Sequence, residues 1–158
     1  MNTVYQYTPR KTLFGITIPT VLAALVFMIM MSDLITGQQT VVTIPLAVLA
    51  GIIFLDHFLA LSHPEKISCG DGWIEFSSFG RTHHYDVSDI QRINIRKTAF
   101  SKSIYVRIND AGLIKGRYWL QIEQLPQGEQ LLAFLETLVE QKHPMMKNFK
   151  QRSFVKTK

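Results

Sequence analysis

The sequence predicts a membrane α-helical hairpin joined to a mainly-β, α+β soluble domain that one C-terminal helix caps. Three observations predict this fold class. Two long apolar stretches without Lys or Arg lie near the N-terminus, apolar and polar residues alternate in the middle of the chain, and leucines spaced three and four apart follow. The length of 158 residues allows one modest domain beside a small membrane region. The predicted divisions are an N-terminal tail (1–12), the hairpin (13–61), the soluble domain (64–141) and a basic tail (142–158).

The two predicted transmembrane spans cover residues 13–31 and 41–61. The first contains no charged residue, and the second is interrupted only by Asp56 and His57 near its end. A bilayer core about 30 Å thick needs roughly 20 apolar residues in a helix, so each stretch is long enough to cross it. A cleaved signal peptide has a shorter apolar region with small residues at its cleavage site. A buried soluble hairpin would need more covering chain than this sequence offers.

The charges beside the spans predict the orientation. Arg10 and Lys11 precede the first span, whereas the connection 32–40 contains Asp33 and neither Lys nor Arg. Because basic flanks stay on the cytoplasmic side, we expect a multi-pass protein of the cell membrane with both termini in the cytoplasm. The single cysteine, Cys69, agrees with a reducing compartment. Ala47 and Gly51 form a small-xxx-small pair that would let the two helices approach closely.

Period-two alternation predicts six antiparallel strands in the soluble domain. They lie around Ile67 and at 73–79, 81–85, 93–95, 104–108 and 117–122. The apolar phase predicts a shared core, and Arg92 and Arg107 fall on the opposite, solvent phase. A helix then starts at Pro126 and stops before His143 and Pro144. The residues expected to be buried between sheet and helix are Ile93, Ile95, Ile104, Val106 and Leu135.

This order of elements resembles a pleckstrin-homology-like (PH-like) domain, an antiparallel sheet or partly open barrel capped by one helix. The likeness is carried by the strand–turn–strand unit 67–79, the segment 85–93 and the helix 125–139. With a preceding two-span hairpin, the layout is similar to small bacterial membrane proteins that carry a bacterial PH-like domain, and EbsA-type proteins share a similar layout. The sequence departs from the family by offering six strands rather than seven. Its first hairpin turn contains Asp71 instead of a basic cluster, so inositol-phosphate recognition does not carry over.

Asp56 and His57 form a possible intramembrane polar pair about one turn before the second span ends. A carboxylate at the membrane centre costs about 2.5–3.5 kcal/mol on insertion scales and less near the interface. One interpretation is a proton- or ion-linked pair, with His63 one to two turns further on. The other is an interfacial pair that reaches the headgroups or caps against the soluble domain. Both interpretations stay open.

The remaining chemistry-bearing residues predict no catalytic, cofactor or metal site. His83 and His84 are neighbours on a strand and point to opposite faces, and the sequence offers the histidines no Cys or carboxylate at metal-ligand spacing. No base is evident beside Cys69, and no glycine-rich loop could hold a phosphate. We therefore expect neither an enzyme nor a bound cofactor.

The basic tail predicts contact with anionic lipid headgroups. It contains no acidic residue, and apolar side chains are interleaved with its cations. A solvated tail and a nucleic-acid-binding arm are the alternatives, and we expect no nucleic-acid partner. The predicted lipid-contact residues are Lys147, Phe149, Lys150, Arg152, Phe154 and Lys156.

Two functional hypotheses follow from these features. The first is a membrane-anchored, non-catalytic PH-like interaction module at the cytoplasmic face that binds a protein partner or lipid headgroups. The second is a pore-forming or transport-associated protein that uses the hairpin, with Asp56 and His57 lining a path. Two spans cannot enclose a channel, so the second hypothesis requires a homo-oligomer.

Overall fold

The computed structural model describes residues 2–38, 40–98 and 103–143. These residues form seven strands and three helices longer than one turn. In chain order they are β1 (Thr3–Gln6), α1 (Pro9–Thr36), α2 (Thr43–Leu59), β2 (Lys66–Gly70), β3 (Trp73–Ser78), β4 (Arg81–Asp86), β5 (Ile93–Lys97), β6 (Ser103–Ile108), β7 (Arg117–Gln121) and α3 (Gly128–Lys142).

Helices α1 and α2 pack against each other as a hairpin. Gly37 ends α1 with a φ of 74°, a left-handed conformation that glycine adopts without steric cost. Small residues fill the interface: Ala47 and Gly51 are buried, and a Cβ added to Gly51 would lie 3.1 Å from the Phe27 ring. The predicted small-residue contact is therefore confirmed. Helix α1 extends further than the predicted span at both ends, and α2 is slightly shorter than its predicted span.

One helix in the described part of the chain, α1, is long and apolar enough to cross a membrane. The criterion is one of length and composition, which a signal sequence near an N-terminus also meets. Helix α2 is apolar but shorter.

A π-helical turn interrupts each hairpin helix at the end that joins the rest of the chain. These turns span Leu13–Thr17 in α1 and Leu55–Leu59 in α2. In α1 the widened turn precedes Pro19, which has no N–H to donate to the carbonyl of Gly15. π-Helical turns are rare and occur frequently at functional sites.

The strands form two antiparallel sheets, ordered β1-β2-β3-β4 and β5-β6-β7. The six predicted strands are confirmed, and β1 is an addition. Strand β1 precedes the hairpin and pairs with β2, which follows it, with Thr3 opposite Cys69 and Tyr5 opposite Ile67. The segment 1–12 is therefore more than a tail, because it contains this strand and the start of α1. The two ends of the hairpin are therefore joined by strand pairing within one sheet.

The core lies between the sheets and α3. Every residue expected in it is buried, and Arg92 and Arg107 are exposed, so the predicted strand phases are confirmed. The N–H of Ile93 donates to Nε2 of His143 at 3.2 Å, and Lys97 forms a 3.0 Å ion pair with Glu136 of α3. These contacts hold the helix over β5. Two antiparallel sheets and a packed helix make an α+β domain.

Candidate functional site

A cluster of three metal-ligating side chains lies where α2 joins the domain. Asp56 and His57 belong to the π-helical turn at the end of α2, and His63 follows four residues after that turn. Each side chain is half-buried and offers one ligand atom, and these three atoms lie within 4.8 Å of one another. The imidazole rings of His57 and His63 have their centroids 4.5 Å apart. We call these three residues the junction cluster.

Hydrogen bonds from outside the junction cluster orient two of its members. The Ser62 hydroxyl donates to Oδ1 of Asp56 at 2.8 Å. The Thr20 hydroxyl donates its only proton to the carbonyl of Ile16 at 2.6 Å. Its oxygen, 3.1 Å from Nδ1 of His57, therefore accepts a hydrogen bond from the N–H at that nitrogen. Neutral His57 is then protonated on Nδ1, and its Nε2 lone pair is free.

The third member, His63, is held neutral by its surroundings. The pKa of His63 is lowered to about 4, mainly by burial and to a smaller extent by the neighbouring His57, while Asp56 acts in the opposite direction. At neutral pH this imidazole therefore carries no charge and keeps a lone pair on one nitrogen. A half-buried carboxylate beside two imidazoles offers lone pairs that can bind a cation or a proton.

The connection between hairpin and domain is fixed by several contacts. The N–H of Trp119 donates to the carbonyl of Ser62 at 2.7 Å. Arg81 donates to the carbonyl of Phe58 at 3.0 Å, and its guanidinium carbon lies 5.6 Å from the centre of the Phe58 ring. Leu61 is fully buried with a φ of 48°, an uncommon conformation for a leucine. The junction cluster is therefore held at a defined position on the domain.

A second feature, the distal cleft, lies at the opposite end of the sheets. Strand β4 starts at Arg81 beside α2 and runs away from the hairpin to Asp86. The cleft, with a volume of about 670 Å³, lies between that strand end and the loop 109–116. Asp86, Asp89 and Asp110 line it together with one lysine, Lys115. The cleft is therefore acidic.

Apolar and titratable groups accompany those carboxylates. Leu113 in the loop of the cleft is 81 % exposed. His84, also in the lining, lies 2.8 Å from Glu75 and 3.2 Å from Asp86. Hydrogen bonding to Glu75 and then to Asp86 raises the pKa of His84. His83 points the other way, with Nδ1 2.9 Å from the Tyr118 hydroxyl, so the predicted opposite orientation of the two histidines is confirmed.

The structure brings together some of the predicted site residues. Asp56 and His57 are adjacent to His63, as the ion-linked interpretation requires. The argument that no carboxylate lies at ligand spacing from a histidine is wrong for this group, because the π-helical turn and the following connection fold Asp56 onto both imidazoles. Sequence reasoning missed Thr20 and Ser62. Their positions beside Asp56 and His57 depend on helix packing, which no local pattern predicts.

Two further predictions concern Cys69 and the basic tail. Cys69 is a buried residue of β2, and burial raises the pKa of its thiol to about 12, which suppresses the nucleophilic thiolate. The six predicted lipid-contact residues, Lys147 to Lys156, lie outside the described residues, so their role stays a prediction.

No family model matches the chain, and neither a curated protein nor a solved structure shows significant similarity to it.

Proposed function

We propose that this chain is a membrane-anchored, non-catalytic interaction module whose domain binds a protein partner through the distal cleft. The observation that carries the membrane anchor is the distribution of side chains in the hairpin. Apart from Ile16 next to the domain, its buried residues are small or polar, whereas most of its large apolar residues point outward. Such a surface is stable in lipid and unstable in water. The outward-facing residues include Leu22, Met28, Ile29, Val48, Leu49 and Ile52.

The pairing of β1 with β2 supports a two-span topology. A chain that leaves a sheet, forms two apolar helices and returns to the same sheet has both ends of the hairpin on one side. Arg10 and Lys11 lie at that end, and Asp33 lies in the last turn of α1 at the far end. The positive-inside rule then assigns the domain to the cytoplasm. Seven strands in sheets of four and three, followed by one helix, also support the PH-like resemblance, because β1 supplies the strand that the sequence count lacked.

The position of the distal cleft favours a protein over a lipid as its ligand. Along β4 the distance from Arg81 to Asp86 is about 17 Å at 3.3 Å per residue, so the cleft is remote from the headgroups next to the hairpin. Its carboxylates would also repel anionic headgroups. Three carboxylates beside an exposed leucine suit a protein segment that carries basic and apolar side chains.

The alternative, a pore lined by Asp56 and His57, has less support. Both side chains are hydrogen-bonded within the chain, and both lie at the end of α2 rather than at its middle. We therefore expect purified protein in liposomes to give no ion flux above protein-free vesicles. Flux that disappears with Asp56→Asn would favour the pore instead.

Site-specific photo-crosslinking in native membranes tests the proposed partner. A photo-reactive residue at Leu113 should give a discrete protein adduct, and Asp110→Lys should remove it by replacing an attractive charge with a repulsive one. The same charge reversal at exposed Glu140 of α3 is the matched control and should leave the adduct in place. A lipid adduct at Leu113, or an adduct that survives Asp110→Lys, would contradict the proposal.

A further inference from the structure

We propose that Asp56, His57 and His63 bind one divalent transition-metal ion of the Zn²⁺ class at the junction of hairpin and domain. This inference goes beyond the interaction module and does not rest on the distal cleft. The donor set of two imidazoles and one carboxylate suits Zn²⁺, which takes nitrogen and oxygen ligands at about 2.0–2.2 Å. Mg²⁺ and Ca²⁺ prefer sites made of oxygen ligands alone.

The geometry requires only a small closure around an ion. The ligand atoms lie within 4.8 Å of one another. Ligands of a tetrahedral Zn²⁺ ion lie about 3.4 Å apart at bond lengths near 2.1 Å. All three side chains project from one short stretch of chain, so rotation about side-chain bonds moves their ligand atoms relative to one another. Three protein ligands leave a fourth position for water.

The hydrogen bonds around the junction cluster match the outer shell of a metal site. A metal-bound histidine almost always donates its other ring N–H to a protein acceptor, and bound carboxylates are themselves hydrogen-bonded. His57 donates from Nδ1 to Thr20, which leaves Nε2 for the ion. Ser62 donates to Oδ1 of Asp56, which leaves Oδ2.

The bound ion would act as a clamp between two parts of the molecule. Asp56 and His57 belong to α2, whereas His63 lies beyond Ser62, whose carbonyl is bonded to β7. One ion therefore links the last turn of the hairpin to the connection fixed on the domain. This clamp would hold the angle between hairpin and sheet.

Zinc titration of the full-length protein in detergent micelles tests this inference. Calorimetry should give one Zn²⁺ per chain for the unaltered protein. His57→Ala, His63→Ala and the near-isosteric Asp56→Asn should each weaken binding at least tenfold. Thr20→Val keeps every ligand and removes the hydroxyl that accepts from Nδ1 of His57 and donates to the carbonyl of Ile16, and it should weaken binding about 10–100-fold.

The matched control is His84→Ala, which removes an exposed histidine that has its own carboxylate neighbours. Affinity should be unchanged in this variant. Zinc binding that persists without His57 and His63, or that disappears with His84→Ala, would overturn the inference. If the cluster variants fail to fold by circular dichroism, Co²⁺ in the unaltered protein decides. Intense ligand-field bands of a four-coordinate ion support the site, and the weak spectrum of six-coordinate Co²⁺ contradicts it.

Discussion

The hairpin and the domain distribute their side chains in opposite ways. In the domain, large apolar residues such as Phe76 and Ile95 are buried and charged residues such as Arg107 face outward. In the hairpin, Ala47 and Gly51 are buried, and leucines, isoleucines and methionines face outward. A single solvent cannot favour both arrangements, because exposed apolar surface is unfavourable in water. This difference supports the proposed membrane anchor, in which the two regions fold in different surroundings.

The junction cluster lies where these two regions meet. In the proposed topology this is the boundary between lipid and water, which allows a half-buried carboxylate and imidazoles that the centre of a bilayer would disfavour. Strand β1 and the Ser62–Trp119 and Arg81–Phe58 contacts fix the boundary on the domain side. The hairpin is therefore fixed to the domain by strand pairing and hydrogen bonds at both of its ends.

Removing the β1 contact with the core should have the largest effect. Tyr5 is 4 % exposed and its neighbour Val4 is 53 % exposed. Tyr5→Ala should destabilise the full-length protein by about 3–5 kcal/mol, the usual cost of truncating a buried aromatic residue. Denaturant unfolding in detergent, followed by domain fluorescence, measures this change. Val4→Ala is the control on the opposite face of the strand. Equal effects of the two substitutions would show that β1 does not belong to the domain core.

An arginine placed on each region should show whether that region faces lipid or water. Leu49 in α2 is 56 % exposed, and Leu113 in the distal cleft is more exposed still. Leu49→Arg should cost about 2.5–3.5 kcal/mol of membrane insertion, whereas Leu113→Arg should change domain stability by less than about 0.5 kcal/mol. An insertion assay and thermal unfolding give the two values. If Leu49→Arg inserted and folded as well as the unaltered chain, a lipid-facing α2 would be untenable.

The basic tail is a third region, and its binding to lipid can be measured separately. Each cation near an anionic surface contributes about 1 kcal/mol, so Lys150→Ala in a 142–158 peptide should lower vesicle partition roughly fivefold. The effect should fade between 0.1 M and 1 M salt, as the Debye length falls from about 10 Å to about 3 Å. Gln151→Ala is the uncharged control. Equal binding to neutral and anionic vesicles would leave a solvated tail.

The smallest effect concerns the charge of the distal cleft. The folded-state pKa of His84 is raised by Glu75 and Asp86, so its contribution to stability is complete below about pH 6.5, the ordinary value, and is lost as pH rises through the raised pKa. Glu75→Gln should move the pKa of His84 back toward 6.5. An NMR titration of the imidazole protons measures both values. A pKa of His84 that is unchanged by Glu75→Gln would remove the carboxylate as the cause.

Much of the domain could be predicted because its signals are local. Alternation located six strands and the phase of Ile93 to Val106, and three–four spacing located α3. Strand β1 was not predicted because four residues are too few for a periodic pattern, and their partner strand lies beyond the whole hairpin. Its only local signal is the spacing of Tyr5 and Tyr7, which are both buried.

The candidate site was predictable only in part. A carboxylate and a histidine inside an apolar stretch, Asp56 and His57, attract notice in any sequence. The contribution of His63 depends on the π-helical turn, and that of Thr20 depends on how α1 packs on α2. The distal cleft joins β4 to a loop more than twenty residues later in the chain. Such contacts between distant segments are consequences of the fold.

Cysteine labelling in intact cells tests the proposed membrane hairpin, whose two ends both lie on the cytoplasmic side. Gln38→Cys places a thiol in the connection between the helices, and Glu140→Cys places one on α3. The buried Cys69 contributes little background, because its thiol pKa is raised to about 12. With this topology, a membrane-impermeant maleimide should label Gln38→Cys in intact cells and Glu140→Cys only after permeabilisation. Labelling of Glu140→Cys in intact cells, or release of the protein by carbonate washing, would contradict it.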